Sequence, residues 1–413
     1  MMRERWRIAV FVLLAISGAR GHGQELALHE DDRVVLYGDS ITAQRLYTRF
    51  VEDFVLTRYP QMRVTFWNAG IPGDTVYGGY TGDMPARLKR DVLPHHPTIV
   101  TMMLGMNDGY YMAFNQKYLD VYMDGYRKLL DAVQTGVPAA RVTLISPTPY
   151  DEVTHGTEFA HYNEVVSRHS DFVKQWAASS HLGFCDFNQA ETGLLRAGMR
   201  KNASLAALLV PDRIHPADAS HWVMAATLAR AWGLSPVVSS LQLDGRTGKT
   251  VAAENTQVAD LKAEGGKLQW TQTDNALPLP LPLDDGMMKF VLSISGLAEM
   301  DRQWLAVSGL PAARYTLKID GQNIASFTRE QLAAGVNLAL YATPMEGQAK
   351  GVDGIELKRT RLDEARFLLA IEDPKAANGA DATRALEAKD VVLAAEQRSA
   401  AQPKPHRFEL SVQ

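Results

Sequence analysis

The stretch VVLYGDSITAQ, residues 34–44, changes character within a few positions. Apolar and β-branched side chains run up to Gly38, Asp39 and Ser40 follow, and a helix-like pattern begins after them. A strand that delivers the chain straight into a helix is the repeating step of an α/β fold. Ser40 at that junction has two readings. It caps the helix, a place where Ser and Asp are favoured, or it is a nucleophile held at the end of a buried strand. The rest of the chain decides between them.

The first run extends over RVVLYG (33–38), and four more follow: RVTFWNA (63–69), TIVTMMLG (98–105), RVTLISPT (141–148) and LGFCDF (182–187). Most are continuously apolar, the pattern of strands covered on both faces. Helical stripes separate them. Leu46, Tyr47, Phe50, Val51, Phe54 and Val55 form one. Leu119, Tyr122, Met123, Tyr126, Leu129, Leu130 and Val133 form another. Phe159, Tyr162, Val165, Val166, His169, Phe172, Val173 and Trp176 form a third, in which His169 reads as a histidine at the core edge. All keep i, i+3, i+4 spacing, so each helix hides one face. The alternation predicts a doubly wound parallel sheet with helices on both sides. Sites in such sheets lie at the carboxyl ends of the strands.

At 413 residues the chain is too long for one ordinary domain. Hydrophobic residues make up 46%, enough for a core. A net charge of −4 and a pI near 6.3 supply no basic footprint, which argues against a nucleic-acid partner. At the N-terminus MMRERWR precedes the wholly apolar IAVFVLLAI (8–16), and Ser17-Gly18-Ala19 follows. Charged start, short apolar run and small-residue exit describe a secretory signal peptide over residues 1–23, with cleavage near Ala19 or Gly23. An uncleaved anchor is the rival reading, but the run is short for a bilayer span. The mature protein is therefore expected to be exported, with no stable membrane insertion. The single cysteine, Cys185, cannot form an internal disulfide and reads as a buried packing residue. Export without disulfides points to a bacterial periplasmic or secreted protein. His95-His96, between Pro94 and Pro97, reads as a turn and not as a metal site.

The character changes after about residue 235, which suggests domains over 30–235 and 236–413 with SPVVSS as the joint. LPLPLPLDDG (279–286) looks extended. FVLSISGL, WLAVSGL, YTLKIDGQNI and VNLALYATP read as short strands, with Asp320-Gly321 as a hairpin turn. Residues 358–400 look helical and HRFELSVQ looks like a final strand. The second region is thus expected to be smaller and strand-rich, with a helical tail.

What stands after each strand tests the site rule. Gly38-Asp39-Ser40 follows the first strand, Asn68 to Thr75 the second, and Gly105-Met106-Asn107-Asp108 the third. Asp212-Arg213-Ile214-His215-Pro216 comes past the fifth. A serine hydroxyl needs a base within reach and a group to orient that base. His215 suits the first part and Asp212, three residues earlier, the second. Pro216 holds His215 extended and suits the first turn of a helix. A developing oxyanion needs fixed donors. The Ser40 backbone N–H, the Gly73 N–H and the Asn107 side-chain amide are the candidates. Singly, each piece has a structural reading as a cap, a turn or a local ion pair. The ordered set at successive strand ends favours chemistry.

These four blocks resemble those of the SGNH hydrolases, also called the GDSL family, in which Ser, Gly, Asn and His carry them. Gly38-Asp39-Ser40-Ile41 has Ile where many members have Leu, and no essential position is missing. The resemblance covers about residues 30–235. It implies a three-layer α/β/α, flavodoxin-like fold and serine hydrolysis of carboxylic esters, with no metal or organic cofactor. It leaves the substrate open among carbohydrate acetylesterases, lipolytic esterases, thioesterases and acyltransferases. Tyr77, Tyr80, Tyr110, Tyr111 and Tyr150 crowd the predicted strand ends, where they stack on sugar rings or pack loops. No long amphipathic lid is visible. A small-acyl esterase acting on acylated carbohydrate is the first expectation. A lipolytic esterase or thioesterase is the alternative, and so is a polysaccharide-binding module on a scaffold hydrolase domain.

Overall fold

The computed structural model describes residues 26–157, 161–372 and 379–413. The leader expected over 1–23, and Phe159 of the third stripe, lie outside the described residues. Strands β1 (Asp32–Gly38), β2 (Val64–Gly70), β3 (Ile99–Met103), β4 (Arg141–Ile145) and β5 (Gly183–Cys185) form one sheet in the order β2-β1-β3-β4-β5, every neighbour parallel. Between and after them lie α1 (Ser40–Ala43), α2 (Leu46–Arg58), α3 (Met84–Asp91), α4 (Gln116–Gly136), α5 (Tyr162–Ser179), α6 (Phe187–Lys201), α7 (Ala203–Ala206) and α8 (Asp218–Ala231). Alternate residues of β1 feed two cores. Val34 and Leu36 pack with Phe50, Phe54 and Trp222 of α2 and α8. Val35 and Tyr37 pack with Leu88, Tyr126, Leu129 and Val173 of α3, α4 and α5. Each strand is covered on both sides, which is why it reads as a continuous apolar run. The order reverses direction between β1 and β3, so the loops after these strands part and leave a crevice.

His169 is fully buried, deeper than the core edge its stripe suggested. Its Nδ1–H donates to the Gly105 carbonyl at 2.8 Å, and its ring stacks on Tyr122 with centroids 3.9 Å apart. Burial lowers its pKa to about 4 and keeps it neutral. Cys185 is buried, as its apolar setting required.

The second half holds β6 (Val237–Asp244), β7 (Lys249–Glu254), β8 (Thr256–Glu264), β9 (Lys267–Asp274), β10 (Arg302–Ser308), β11 (Arg314–Ile319), β12 (Gln322–Thr328) and β13 (His406–Val412). One antiparallel sheet runs β8-β9-β13-β11-β12. A second joins β10 to β6 in parallel and β6 to β7 in antiparallel. Asp320 and Gly321, with φ of 51° and 82°, make the hairpin turn that their sequence called for.

Two strand readings fail here. FVLSISGL belongs mostly to a helix, α9 (Gly286–Ile294), started by the Asp285 carboxylate accepting from the Met288 N–H at 2.8 Å. Met288 and Val291, three residues apart, both face the core, so helical and not strand spacing governs. VNLALYATP pairs only at Val336–Asn337 before a single helical turn, Leu338–Leu340. After α10 (Arg329–Ala334), the helical tail starts earlier than expected, as α11 (Pro344–Glu372) followed by α12 (Gly379–Ala400). Among the described residues no helix is long and apolar enough to cross a membrane.

The second half is bound tightly to the first. Leu279, Leu281, Met288 and Leu297 share a core with Phe50 and Trp222. Arg58 of α2 meets Asp301 at 3.2 Å, fully buried. α11 lies along α2, where Arg359 pairs with Glu52 at 2.7 Å and Arg49 with Asp353 at 2.5 Å.

Glu191 on α6 is also fully buried, and neither carboxylate oxygen has a partner among the described residues. Burial, helped by nearby Asp151, pushes its pKa from 4.5 up to about 8. The unfolded chain releases this proton from pH 4.5 upward while the folded chain keeps it to about 8. Stability from this site is thus present below pH 4.5 and lost as pH rises toward 8. Glu191→Gln should unfold in urea near the wild-type midpoint at pH 4 and at a progressively higher relative midpoint toward pH 8.

Candidate active site

β1 ends at Gly38, and the Asp39 side chain caps α1 by accepting from the Ile41 N–H at 3.1 Å. The chain can turn so sharply because β2 ends in glycine too. A Cβ on Gly70 would stand 2.3 Å from the Ala43 nitrogen, so only glycine lets α1 sit on the strand end. Ser40 is the first residue of α1 and points into the crevice.

His215 reaches it from the far side. Its Nε2 lies 2.9 Å from the Ser40 Oγ, and its Nδ1 lies 2.6 Å from Asp212 Oδ2. A carboxylate only accepts, so Nδ1 carries the hydrogen and Nε2 is free to accept the serine proton. The other oxygen, Asp212 Oδ1, accepts from the backbone N–H of Ile214 at 3.0 Å and of His215 at 2.7 Å. Partial burial opposes ionisation of Asp212, but these bonds outweigh it and hold the carboxyl below its ordinary pKa. Between them Arg213 takes a left-handed backbone, φ 73°, and its guanidinium donates to the Gly156 carbonyl at 2.7 Å and the His155 carbonyl at 2.9 Å. Those bonds tie the Asp212–His215 turn to the loop after β4. Pro216 stands two residues ahead of α8, slightly outside the first turn expected for it.

His221 braces the same junction from α8. Its Nδ1 accepts from the Tyr47 N–H at 3.1 Å, so its Nε2–H donates to Gln44 Oε1 at 3.0 Å. Burial lowers its pKa to about 3, so it stays neutral.

The three expected oxyanion donors lie at adjacent strand ends. The Ser40 and Gly73 backbone N–H groups have no partner among the described residues. Gly73 has φ 74°, which favours glycine. Asn107 Nδ2 donates to the Asp74 carbonyl at 2.9 Å, which leaves its second hydrogen available. Asn107→Ala is expected to lower kcat about 10²–10³-fold, read on p-nitrophenyl acetate.

Sequence reasoning missed two supports. The Tyr111 hydroxyl donates to Asn107 Oδ1 at 2.9 Å, which sets which end of the amide faces the crevice. Partial burial, with Asp39, Tyr150 and Asp212 nearby, raises the Tyr111 pKa to about 12, so the donor proton stays on. Tyr111→Phe should cost roughly fivefold in kcat, one ordinary hydrogen bond, with KM and thermal stability unchanged. The other support is Arg87, in the charged stretch MPARLKRD. It is wholly buried, with Nε donating to Asp74 Oδ2 at 2.7 Å. The signals that could have found it are its two acidic partners, Asp74 beside Gly73 and Asp91 four positions on.

Of the crowded tyrosines, Tyr77, Tyr80, Tyr110 and Tyr111 are exposed and Tyr150 is buried. Burial pushes the Asp39 and Asp108 carboxyls up to about 7, which limits negative charge beneath the crevice. Above Ser40 lies an open cleft of about 520 Å³, bordered by Gln44, Pro72, Pro211 and His215.

This geometry lies within residues 36–223, which match the GDSL-like lipase/acylhydrolase family. This part of the chain belongs to that family. The segment is that of a carboxylic ester hydrolase, and its fold is that of an SGNH hydrolase. An acetylxylan esterase from Geobacillus stearothermophilus is 28% identical over 196 residues, which are 47% of this chain and 83% of that protein. The solved structure of a gut microbial diltiazem-metabolizing enzyme is 25% identical, with 93% of this chain and 98% of that one covered at a TM-score of 0.79. The likeness to the second protein therefore runs through β6–β13 and α9–α12 as well as the GDSL-family segment.

Proposed function

We propose that this hydrolase is an exported esterase that removes acetyl groups from carbohydrate through an acyl-enzyme. Ser40 Oγ attacks the ester carbonyl while His215 Nε2 takes its proton, and Asp212 stabilises the imidazolium that forms. The Ser40 and Gly73 N–H groups and the Asn107 amide stabilise the oxyanion. Collapse expels the sugar alkoxide, which takes the proton from His215, and leaves acetyl on Ser40. Water then attacks with His215 again as base and releases acetate.

The observation that carries the acetyl-carbohydrate reading is the 28% identity over 196 residues to an acetylxylan esterase, in a chain whose Ser40, His215 and Asp212 are joined by hydrogen bonds. Exposed Tyr111, which bonds Asn107, supports it, because an aromatic face suits the C–H face of a sugar ring. Export rests on the residue 1–23 leader pattern. The test is acetate release from acetylated xylo-oligosaccharide against hydrolysis of p-nitrophenyl octanoate. Release from the oligosaccharide with little action on octanoate is the expected result. Preference for octanoate would make the protein a lipolytic esterase.

A further inference from the structure

All residues bordering the Ser40 cleft lie within the matched segment, but a neighbouring cleft draws on the second half of the chain. This second cleft, of about 500 Å³, opens beside the first, and Ala217 and Asp218 border both. Its apolar wall combines Trp222 of α8 with Pro282, Met287 and Met288 from the second half of the chain. Asp218 and Asp285 stand exposed at the rim. The Asp218 carboxylate has no partner among the described residues, and Asp285 uses only Oδ1, for the Met288 N–H. Arg49 lines the cleft too, but Asp353 holds it at 2.5 Å, so the acceptor character of the rim is not cancelled.

We infer that this second cleft is a glycosyl subsite that holds the alcohol half of the ester, an inference that rests on the acetyl-carbohydrate reading above. An acetyl group is too small to need a second chamber. The alcohol side of the ester, by contrast, must extend away from Ser40, and the shared wall at Ala217 and Asp218 gives it a direct path. Sugar rings present an apolar C–H face and hydroxyl donors on one body. The half-buried Pro282 and Met287 meet the face, and the free carboxylate oxygens of Asp218 and Asp285 meet the hydroxyls. A long acyl chain would find these carboxylates a desolvation cost. The second half of the chain thereby becomes part of the substrate site, through the loop that enters α9.

Two variants test this without touching the Ser40, Asp212 and His215 group. Met287→Trp fills the cleft. Asp285→Ser keeps a helix-capping oxygen but removes the carboxylate. Both are to be assayed on acetylated xylo-oligosaccharide and on p-nitrophenyl acetate, whose leaving group is compact. The expected result is a KM for the oligosaccharide raised roughly tenfold in Met287→Trp and severalfold in Asp285→Ser, with p-nitrophenyl acetate turnover within about twofold of wild type. Unchanged KM in both variants, with wild type active on the oligosaccharide, overturns the subsite and leaves the acetyl-carbohydrate reading standing. Equal losses on both substrates also overturn it, because the cleft would then support the catalytic group and not the sugar. A wild type that cleaves p-nitrophenyl acetate but spares the oligosaccharide sinks the carbohydrate reading and the subsite together.

Discussion

Ser40→Ala is expected to lower kcat on p-nitrophenyl acetate by about 10⁶-fold, as loss of the nucleophile does in a unit whose members act together. Ser40 Oγ is 2.9 Å from the one ring nitrogen of His215 that is free to accept, because Asp212 occupies the other at 2.6 Å. Among the described residues no group other than Ser40 bonds that nitrogen. His215→Ala should fall nearly as far, and combining the two should add little. Folding is expected to survive, since the Asp39 carboxylate, and not the Ser40 hydroxyl, caps α1. A Ser40→Ala protein with wild-type turnover would return Ser40 to the helix-start reading.

Arg87→Met is expected to destabilise the protein by roughly 3–5 kcal/mol, the cost of breaking a buried ion pair from one side. Arg87 is the only cation touching the buried Asp74 carboxylate, at 2.7 Å, among the described residues. Its other nitrogens donate to the Ala69 carbonyl at 2.9 Å, lie 3.5 Å from the Gly38 carbonyl and pair with Asp91, while the Tyr37 ring lies 4.7 Å below. Gly38 leads into Ser40, and Asp74 follows Gly73. One side chain therefore joins the ends of β1 and β2 and the turn that carries an oxyanion donor. The urea midpoint should drop and kcat should drop with it. Arg87→Lys keeps the charge but not the planar fork, so it should recover only part of either loss. An unchanged midpoint in Arg87→Met would contradict this account.

The parallel sheet was legible because burial on both faces leaves continuous apolar runs, and every run from 33 to 187 became a strand. The Ser40, Asp212 and His215 arrangement was legible because each residue follows a strand end or sits three positions from its partner. FVLSISGL was misread because a short apolar run fits strand or helix equally, and the decisive cap, Asp285, lies outside it. β7 and β8 were missed for another reason: they are exposed along most of their length, so neither alternation nor a continuous run marks them. Tyr111 and Arg87 were invisible because their roles depend on partners brought near by folding, Asn107 across a turn and the carbonyls of two separate strands.

The most direct test of the central claim is labelling with a fluorophosphonate, followed by peptide mapping. A fluorophosphonate phosphonylates only a serine activated by its neighbours, losing fluoride as the Ser O–P bond forms. The account predicts one label per chain, on the peptide carrying Ser40, with esterase activity lost in step and no label in His215→Ala. Activity lost with the label on another residue, or full activity after Ser40 is labelled, would contradict it.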